Sequence, residues 1–349
     1  MSGGNDWSGR FSAYGKRAVA SEIRELLKLL DKPNLISFAG GIPDPSLFPR
    51  ALMAEAHARI LNHPESAGPA LQYSVSEGYP PLREWLSRHM RGKGVNCGPE
   101  NILITNGSQQ ALYLAARLFL DPGDRVLTAR PAYLGALQAF AANDPEFLPL
   151  SALADSAMPK AKLAYVMPDF ANPTGETMTL AERHALLDGA YRHDVVLLED
   201  AAYSDLRFDG APLPPLLALD AERAGGIEKV RTVYCGTFSK TVIPGLRVGW
   251  IVAPASVINK AVLLKQANDL HTGSLTQMAL TQVVTHLPQS HVAMLCETYG
   301  ARRDALLKAL GRHMPEGVTW TKPQGGMFVW LTLPKAIDAT RLLPKAVEA

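Results

Sequence analysis

Long apolar runs are missing from this sequence: nowhere do about eighteen apolar residues follow one another, the minimum for a membrane-spanning helix. The N-terminus, Met1 to Arg10, is polar and glycine-rich, with no apolar stretch behind a basic start, so no export signal is expected either. Cysteine is scarce. Cys97, Cys235 and Cys296 are odd in number, far apart and in no CxxC spacing, which argues against a disulfide framework or a zinc site and fits a reducing cytoplasm. A dominant charge is lacking as well. Lys and Arg number 35 against 33 Asp and Glu, well mixed, for a formal charge of +2. Without a basic stripe no nucleic-acid partner is expected, and a small molecule is the better expectation.

Several catalytic signatures are also absent. The nine histidines include no HExxH and no convergent pair, so no metal site is expected. There is no GxGxxG and no Walker lysine, no internal repeat and no low-complexity segment. Asn106-Gly107-Ser108 is formally a glycosylation sequon, read as coincidence in a chain without an export signal. What remains is the composition of an ordinary globular protein, 47% hydrophobic and 19% charged, over 349 residues. That length exceeds the usual single domain, so two domains are expected.

From about residue 100 to 255, short apolar runs alternate with amphipathic stretches. The runs Ile102 to Thr105, Arg125 to Ala129, Leu163 to Met167, Val195 to Leu198, Val230 to Tyr234 and Val248 to Val252 read as strands buried on both faces. Gln109 to Leu120, Tyr133 to Ala142 and Leu180 to His193 read as crossover helices. This pattern predicts an α/β fold with a mostly parallel sheet flanked by helices. A first helix is predicted over Ser21 to Leu30, followed by the glycine- and proline-rich loop Phe38 to Pro45, which could line a site. After Pro254 the pattern is helical to about Met314, then strand-like at Val318 to Trp320 and Met327 to Leu333. Trp320, Phe328 and Trp330 read as core of a small α+β domain. The expected division is 50–285 for the large domain, with 1–49 and 286–349 forming the small one.

Lys240 stands in the richest chemical context, Gly236-Thr-Phe-Ser-Lys240-Thr-Val-Ile-Pro-Gly-Leu-Arg247. A lone loop lysine is ordinarily a solvated charge. Here the hydroxyls of Thr237 and Ser239 and the cation of Arg247 are what a Schiff-base lysine beside a phosphate dianion needs, and nearby positive charge lowers the amine's pKa. Thr105-Asn-Gly107-Ser108-Gln109 joins a strand to a helix start, where backbone NH groups bind anions; plain capping by Ser108 is the alternative. Asn172-Pro-Thr-Gly175 and Glu199-Asp200-Ala-Ala-Tyr203 follow strands, at the end where open α/β sheets bind ligands. Together they offer a carboxylate for a pyridine nitrogen and amide and phenol donors for a ring hydroxyl.

These motifs, with Arg130-Pro-Ala-Tyr133, occur in the order and at roughly the spacing of the fold-type-I pyridoxal-phosphate aminotransferases of class I/II, which the chain resembles from Ser21 to about Leu333. The segments Ser21-Glu-Ile-Arg24, Gly40-Gly41-Ile-Pro-Asp and Leu71-Gln-Tyr73 are most similar to the branch of 2-aminoadipate and kynurenine aminotransferases. The resemblance implies an aspartate-aminotransferase-type fold and pyridoxal 5′-phosphate as cofactor. It implies that Lys240 forms the Schiff base, Asp200 pairs with the ring nitrogen, Asn172 and Tyr203 meet the ring hydroxyl, and Tyr133 stacks on the ring. Ser108, Gln109, Thr237, Ser239 and Arg247 would hold the phosphate. Tyr73 would reach the neighbouring subunit's site, which implies a homodimer, while Gly40, Gly41 and Arg24 would face the substrate. The expected reaction is ping-pong transfer of an amino group from an L-amino acid to a 2-oxo acid, with 2-oxoglutarate as acceptor. A β-lyase or decarboxylase reaction on the same frame, or an aminotransferase-like effector domain, is the alternative.

Two departures stand out. Ala201-Ala202 replace the Asp-Pro common before the tyrosine. Relatives also continue past the position of Ala349 with a segment bearing an arginine for the substrate α-carboxylate, which Arg341 does not match. The small domain is therefore expected to be incomplete at its C-terminus. If 349 residues are the whole chain, cofactor binding with impaired substrate affinity is expected; a longer chain restores simple aminotransferase behaviour.

Overall fold

The computed structural model describes residues 7–18, 38 and 40–348. Seven strands form one sheet: β1 (Ile102–Thr105), β2 (Arg125–Thr128), β3 (Glu146–Pro149), β4 (Leu163–Val166), β5 (Val196–Asp200), β6 (Thr232–Thr237) and β7 (Gly249–Val252). Their order is β1-β7-β6-β5-β4-β2-β3, and only β7 runs antiparallel to its neighbours. A second, two-stranded sheet pairs β8 (Thr319–Trp320) with β9 (Leu331–Thr332).

The side-chain alternation of the strands divides the core in two. Ile102, Ile104, Tyr234, Trp250 and Val252 pack toward the helices Arg50–Leu61, Pro80–Gly92 and Ser274–His286. Leu103, Tyr165, Leu198, Cys235 and Ile251 face the opposite layer, built by Gly107–Phe119, Leu134–Phe140 and Ala255–Asn268. Each fully buried Leu or Ile in these layers contributes about 2 kcal/mol by leaving water. Truncating one such residue, Leu112, to Ala would cost about 3 kcal/mol.

Helix Leu180–His193 shows how local chemistry sets the boundaries. Thr179 caps its start, the hydroxyl accepting from the Glu182 N–H at 3.3 Å while the Glu182 carboxylate accepts from the Thr179 N–H at 2.7 Å. It ends at Asp194, whose left-handed backbone (φ 56°) turns the chain into β5.

The strands expected from apolar runs are all present, with β6 displaced to 232–237 from the expected 230–234. Its polar end, Gly236-Thr237, belongs to the sheet because it pairs with Gly249 and Trp250 of β7. The strand β3 carries no buried residue, which explains why no apolar run announced it. The helix predicted over Ser21 to Leu30 lies outside the described residues.

Candidate active site

The functional motifs meet at the C-terminal ends of the parallel strands. The register pair Thr237↔Gly249 closes the loop 238–248, which therefore returns Arg247 to the sheet end from which Lys240 departs. The antiparallel β7 makes this short return possible. Gly107 opens the helix after β1 with φ 73°, and a Cβ there would lie 2.5 Å from an Arg247 guanidinium nitrogen. Gly249 permits a second close approach: a Cβ on it would lie 2.6 Å from the Gly107 carbonyl carbon and 2.7 Å from the Ser108 amide nitrogen. Two segments distant in sequence, 107–108 and 247–249, thus converge on a glycine-lined contact.

Around that contact lies a set of groups of the kind that can hold an anion. The Thr237 hydroxyl accepts from the Ser239 N–H at 3.1 Å and lies 2.9 Å from the Ser239 hydroxyl. Arg247 donates to the Ser239 oxygen at 3.4 Å. The side chain of Gln109 is already engaged, donating to the Gly135 carbonyl at 2.6 Å and accepting from the Tyr133 hydroxyl at 3.3 Å. It buttresses Tyr133, and only its backbone N–H is placed at the helix start.

Lys240 is half-buried. Its Nζ donates to the Gly41 carbonyl at 3.2 Å and stands 5.4 Å from the Tyr203 ring centroid. Burial is the main reason its pKa falls from 10.5 to about 8, with the Arg247 charge adding to the effect and Asp200 opposing it. The sequence alone pointed to neighbouring charge as the cause; desolvation is the larger one.

Asp200 ends β5 on the same face as Leu198 and is almost fully enclosed. Its carboxylate accepts from the Tyr165 hydroxyl at 2.9 Å and the Ala202 N–H at 3.2 Å. Among the described residues no Lys, Arg or His forms an ion pair with it. Burial accordingly raises its pKa from 3.8 to about 6, against the pull of those donors and of Lys240. A buried carboxylate without a cationic partner is what a protonated pyridine ring would complete, so the donor set fits pyridoxal phosphate: a carboxylate, a half-buried lysine and a guanidinium, with the charges of Arg247 and Asp200 both close enough to act on Lys240.

Tyr203 is buried and packs edge-on against Phe328 with ring centroids 5.4 Å apart. Tyr133 is half-buried, and burial raises its pKa. A cavity of about 760 Å³ opens beside Tyr133, Tyr165 and Asn172. Gly40 and Gly41 line another, of about 510 Å³, together with Phe328, Tyr299 and Arg302. Both volumes fall in the range of small-molecule sites.

Two of the five described non-glycine residues with left-handed backbone are here, Phe170 (φ 52°) and Arg247 (φ 51°). Each costs on the order of 1 kcal/mol, and such outliers concentrate at functional sites. Arg24 lies outside the described residues. Tyr73 is 78% exposed, touches His271 edge-on and joins none of the groups around Lys240.

Sequence reasoning missed Tyr165. Tyr165 is the polar member of the apolar run Leu163 to Met167, and the β4–β5 register Tyr165↔Leu198 places it one diagonal step from Asp200; that parity was the available signal. Phe328 is half-buried, and a Cβ on Gly41 would lie 2.6 Å from its ring. No described helix is long and apolar enough to cross a membrane, and no described group of His, Cys, Asp and Glu could hold a metal ion.

A parallel sheet with one reversed strand, and a lysine, a carboxylate and an anion cradle at its strand ends, define an enzyme of the aspartate-aminotransferase structural type. Residues 33–348 match the family described as aminotransferase class I and II, and the chain belongs to it. It is a pyridoxal-phosphate-dependent transaminase, moving an amino group from an amino acid to a 2-oxo acid. It is 41% identical over 360 residues to aromatic-amino-acid aminotransferase 1 of Thermococcus litoralis, spanning 98% of this chain and 84% of that one. The crystal structure of LysN, an α-aminoadipate aminotransferase of Thermus thermophilus complexed with N-(5′-phosphopyridoxyl)-L-leucine, superposes with a TM-score of 0.88. Identity there is 41%, over 98% of this chain and 86% of that one. Pyrococcus horikoshii kynurenine aminotransferase gives a TM-score of 0.89 at 40% identity, over 99% and 87% of the two chains.

Proposed function

We propose that Lys240 is the residue that carries pyridoxal phosphate covalently and moves the proton in transamination. The observation that supports this most is the half-buried amine, 5.4 Å from the Tyr203 ring centroid, with its pKa drawn down to about 8 by burial and the Arg247 charge. At neutral pH an appreciable fraction of that amine is neutral and nucleophilic; a solvated lysine is almost wholly protonated. When bound, the cofactor supplies an electron sink for charge developing at the substrate Cα. The Lys240 amine would serve as the base that takes the proton from the substrate Cα and as the acid that gives it back. Asp200 keeps the ring nitrogen protonated, while Asn172 and Tyr203 orient the ring through its hydroxyl and Tyr133 covers one face. Ser108, Thr237, Ser239, Arg247 and the backbone N–H of Gln109 hold the phosphate.

Gly40 and Gly41, with Phe328 against them, form the wall for the substrate side chain, and Arg24 is assigned to a distal carboxylate. The apolar ring of Phe328 beside the lysine's own hydrogen-bond partner favours aromatic or long-chain donors, in keeping with the names of the relatives, and 2-oxoglutarate is the assigned acceptor. Residues 50–285 carry the cofactor; 1–49 and 286–349 form the smaller domain. Exposed Leu71, Tyr73 and Val75 support a homodimer in which Tyr73 completes the partner's phosphate site. Three unpaired cysteines support a cytoplasmic setting.

The test is spectroscopic. Protein loaded with the cofactor should show a visible absorption band that a panel of amino acids bleaches and 2-oxoglutarate restores. Lys240→Ala should abolish the covalent band and slow the bleaching by at least roughly a thousandfold. An unchanged band in Lys240→Ala would remove the central assignment. Product release independent of any 2-oxo acid would point to a lyase or decarboxylase.

A further inference from the structure

We propose that Phe170 is a positioning residue for Asn172, locked in its left-handed conformation by Arg207 and the Gly325–Gly326 turn. The proposal rests on the reading that the Asn172 amide meets the cofactor's ring hydroxyl. Phe170 is fully buried at φ 52°, two residues ahead of Asn172. A bulky residue does not adopt this backbone unaided, so its surroundings must impose it.

Those surroundings are specific. The Phe170 ring fills the space left by two glycines: a Cβ on Gly325 would lie 2.4 Å from the ring, and one on Gly326 would lie 2.5 Å from the Phe170 Cβ. The Arg207 guanidinium covers the ring at 4.8 Å and donates to the Asp169 carboxylate at 2.9 Å. Asp169 also accepts from Arg183 at 2.8 Å. Arg183, with no exposed side-chain surface, donates as well to the carbonyls of Pro168 at 3.1 Å, Met178 at 3.2 Å and Pro214 at 2.8 Å. The loop is thus gripped on both sides of Asn172.

Between those grips the turn is internally closed, Ala171 N–H donating to the Glu176 carbonyl at 2.9 Å and Gly175 N–H to the Ala171 carbonyl at 2.6 Å. These bonds tie the turn into one piece, and the backbone angle at Phe170 sets the direction in which it leaves Asp169. Arg207 further bridges to Gly325, and the Gly326 N–H donates to the Leu206 carbonyl at 2.8 Å. The irregular segment that leads from the Gly325–Gly326 turn to Phe328 therefore shares one joint with the loop that bears Asn172.

The pH midpoint of the visible absorption of the loaded protein reads the contact. A ring oxygen with one donor fewer holds its shared proton more tightly, so Asn172→Ala should raise the midpoint by roughly one pH unit. Phe170→Gly, which frees the backbone and removes the ring, should give a comparable rise, and Arg207→Met a smaller one in the same direction. The Phe170→Gly/Asn172→Ala double variant should move no further than Asn172→Ala, a non-additivity that a merely structural role does not produce. If Phe170→Gly does not fold, Arg207→Met decides. Wild-type midpoints in Phe170→Gly and Arg207→Met beside a shifted Asn172→Ala would overturn the proposal, as would additive shifts in the double variant. An unshifted Asn172→Ala would instead overturn the assignment of Asn172 on which the proposal stands.

Discussion

At the end of the site proposed for the phosphate, an exposed guanidinium, two hydroxyls and a helix start converge, and each group has partners of its own. At the end proposed for the ring, one enclosed carboxylate faces inward with a tyrosine hydroxyl and one N–H for company. The first arrangement spreads the work over many donors, so losing one leaves the others in place. The second concentrates it on Asp200, whose burial without a cation is unfavourable until the ligand arrives. Redundancy serves affinity, and a single strained group serves chemistry.

That contrast can be broken by substitutions at three positions. Asp200→Ala should slow the amino-acid half-reaction by roughly a thousandfold, measured by single-turnover absorbance. In the cofactor-free protein the companion Asp200→Asn should melt a few degrees higher. The sign follows from the pKa of about 6 against 3.8: the folded state binds this proton more tightly than the unfolded chain. The group's contribution to stability is thus present below 3.8 and lost as pH rises through 6. A neutral amide escapes that cost, and the gain should vanish in acid.

Arg247→Met should weaken cofactor binding about thirtyfold by equilibrium dialysis, the scale of a charge-assisted hydrogen bond. Because the Arg247 charge also lowers the Lys240 pKa, cofactor attachment, which needs the neutral amine, should shift its pH midpoint upward from about 8. Ser239→Ala should be mildest, about fivefold in affinity with kcat nearly unchanged. A Ser239→Ala as severe as Arg247→Met, or an innocuous Asp200→Ala, would reverse the comparison.

Much of this was legible in the sequence. Apolar runs marked the strands of the buried sheet because burial on both faces leaves no polar alternation, and the motifs that follow them lie together at the C-terminal ends of the parallel strands. The reversal of β7 was not legible, since its residues Gly249 to Val252 look the same in either direction and only the short 238–248 return betrays it. Nor was the part played by Tyr165, Phe170 and Arg207. Each acts through a partner more than 30 residues away in sequence, or through a backbone angle that no side-chain pattern records.

Gly249 shows where such a site is fragile. Its missing side chain lies where β7, the end of β6 and the helix start at Gly107 touch, with the Gly236 carbonyl 2.8 Å from a would-be Cβ. A methyl group there would wedge the anion cradle apart while most of both core layers stayed packed. Drift at this position would therefore yield a folded protein empty of cofactor, and divergence of this scaffold would pass through a bottleneck one hydrogen atom wide.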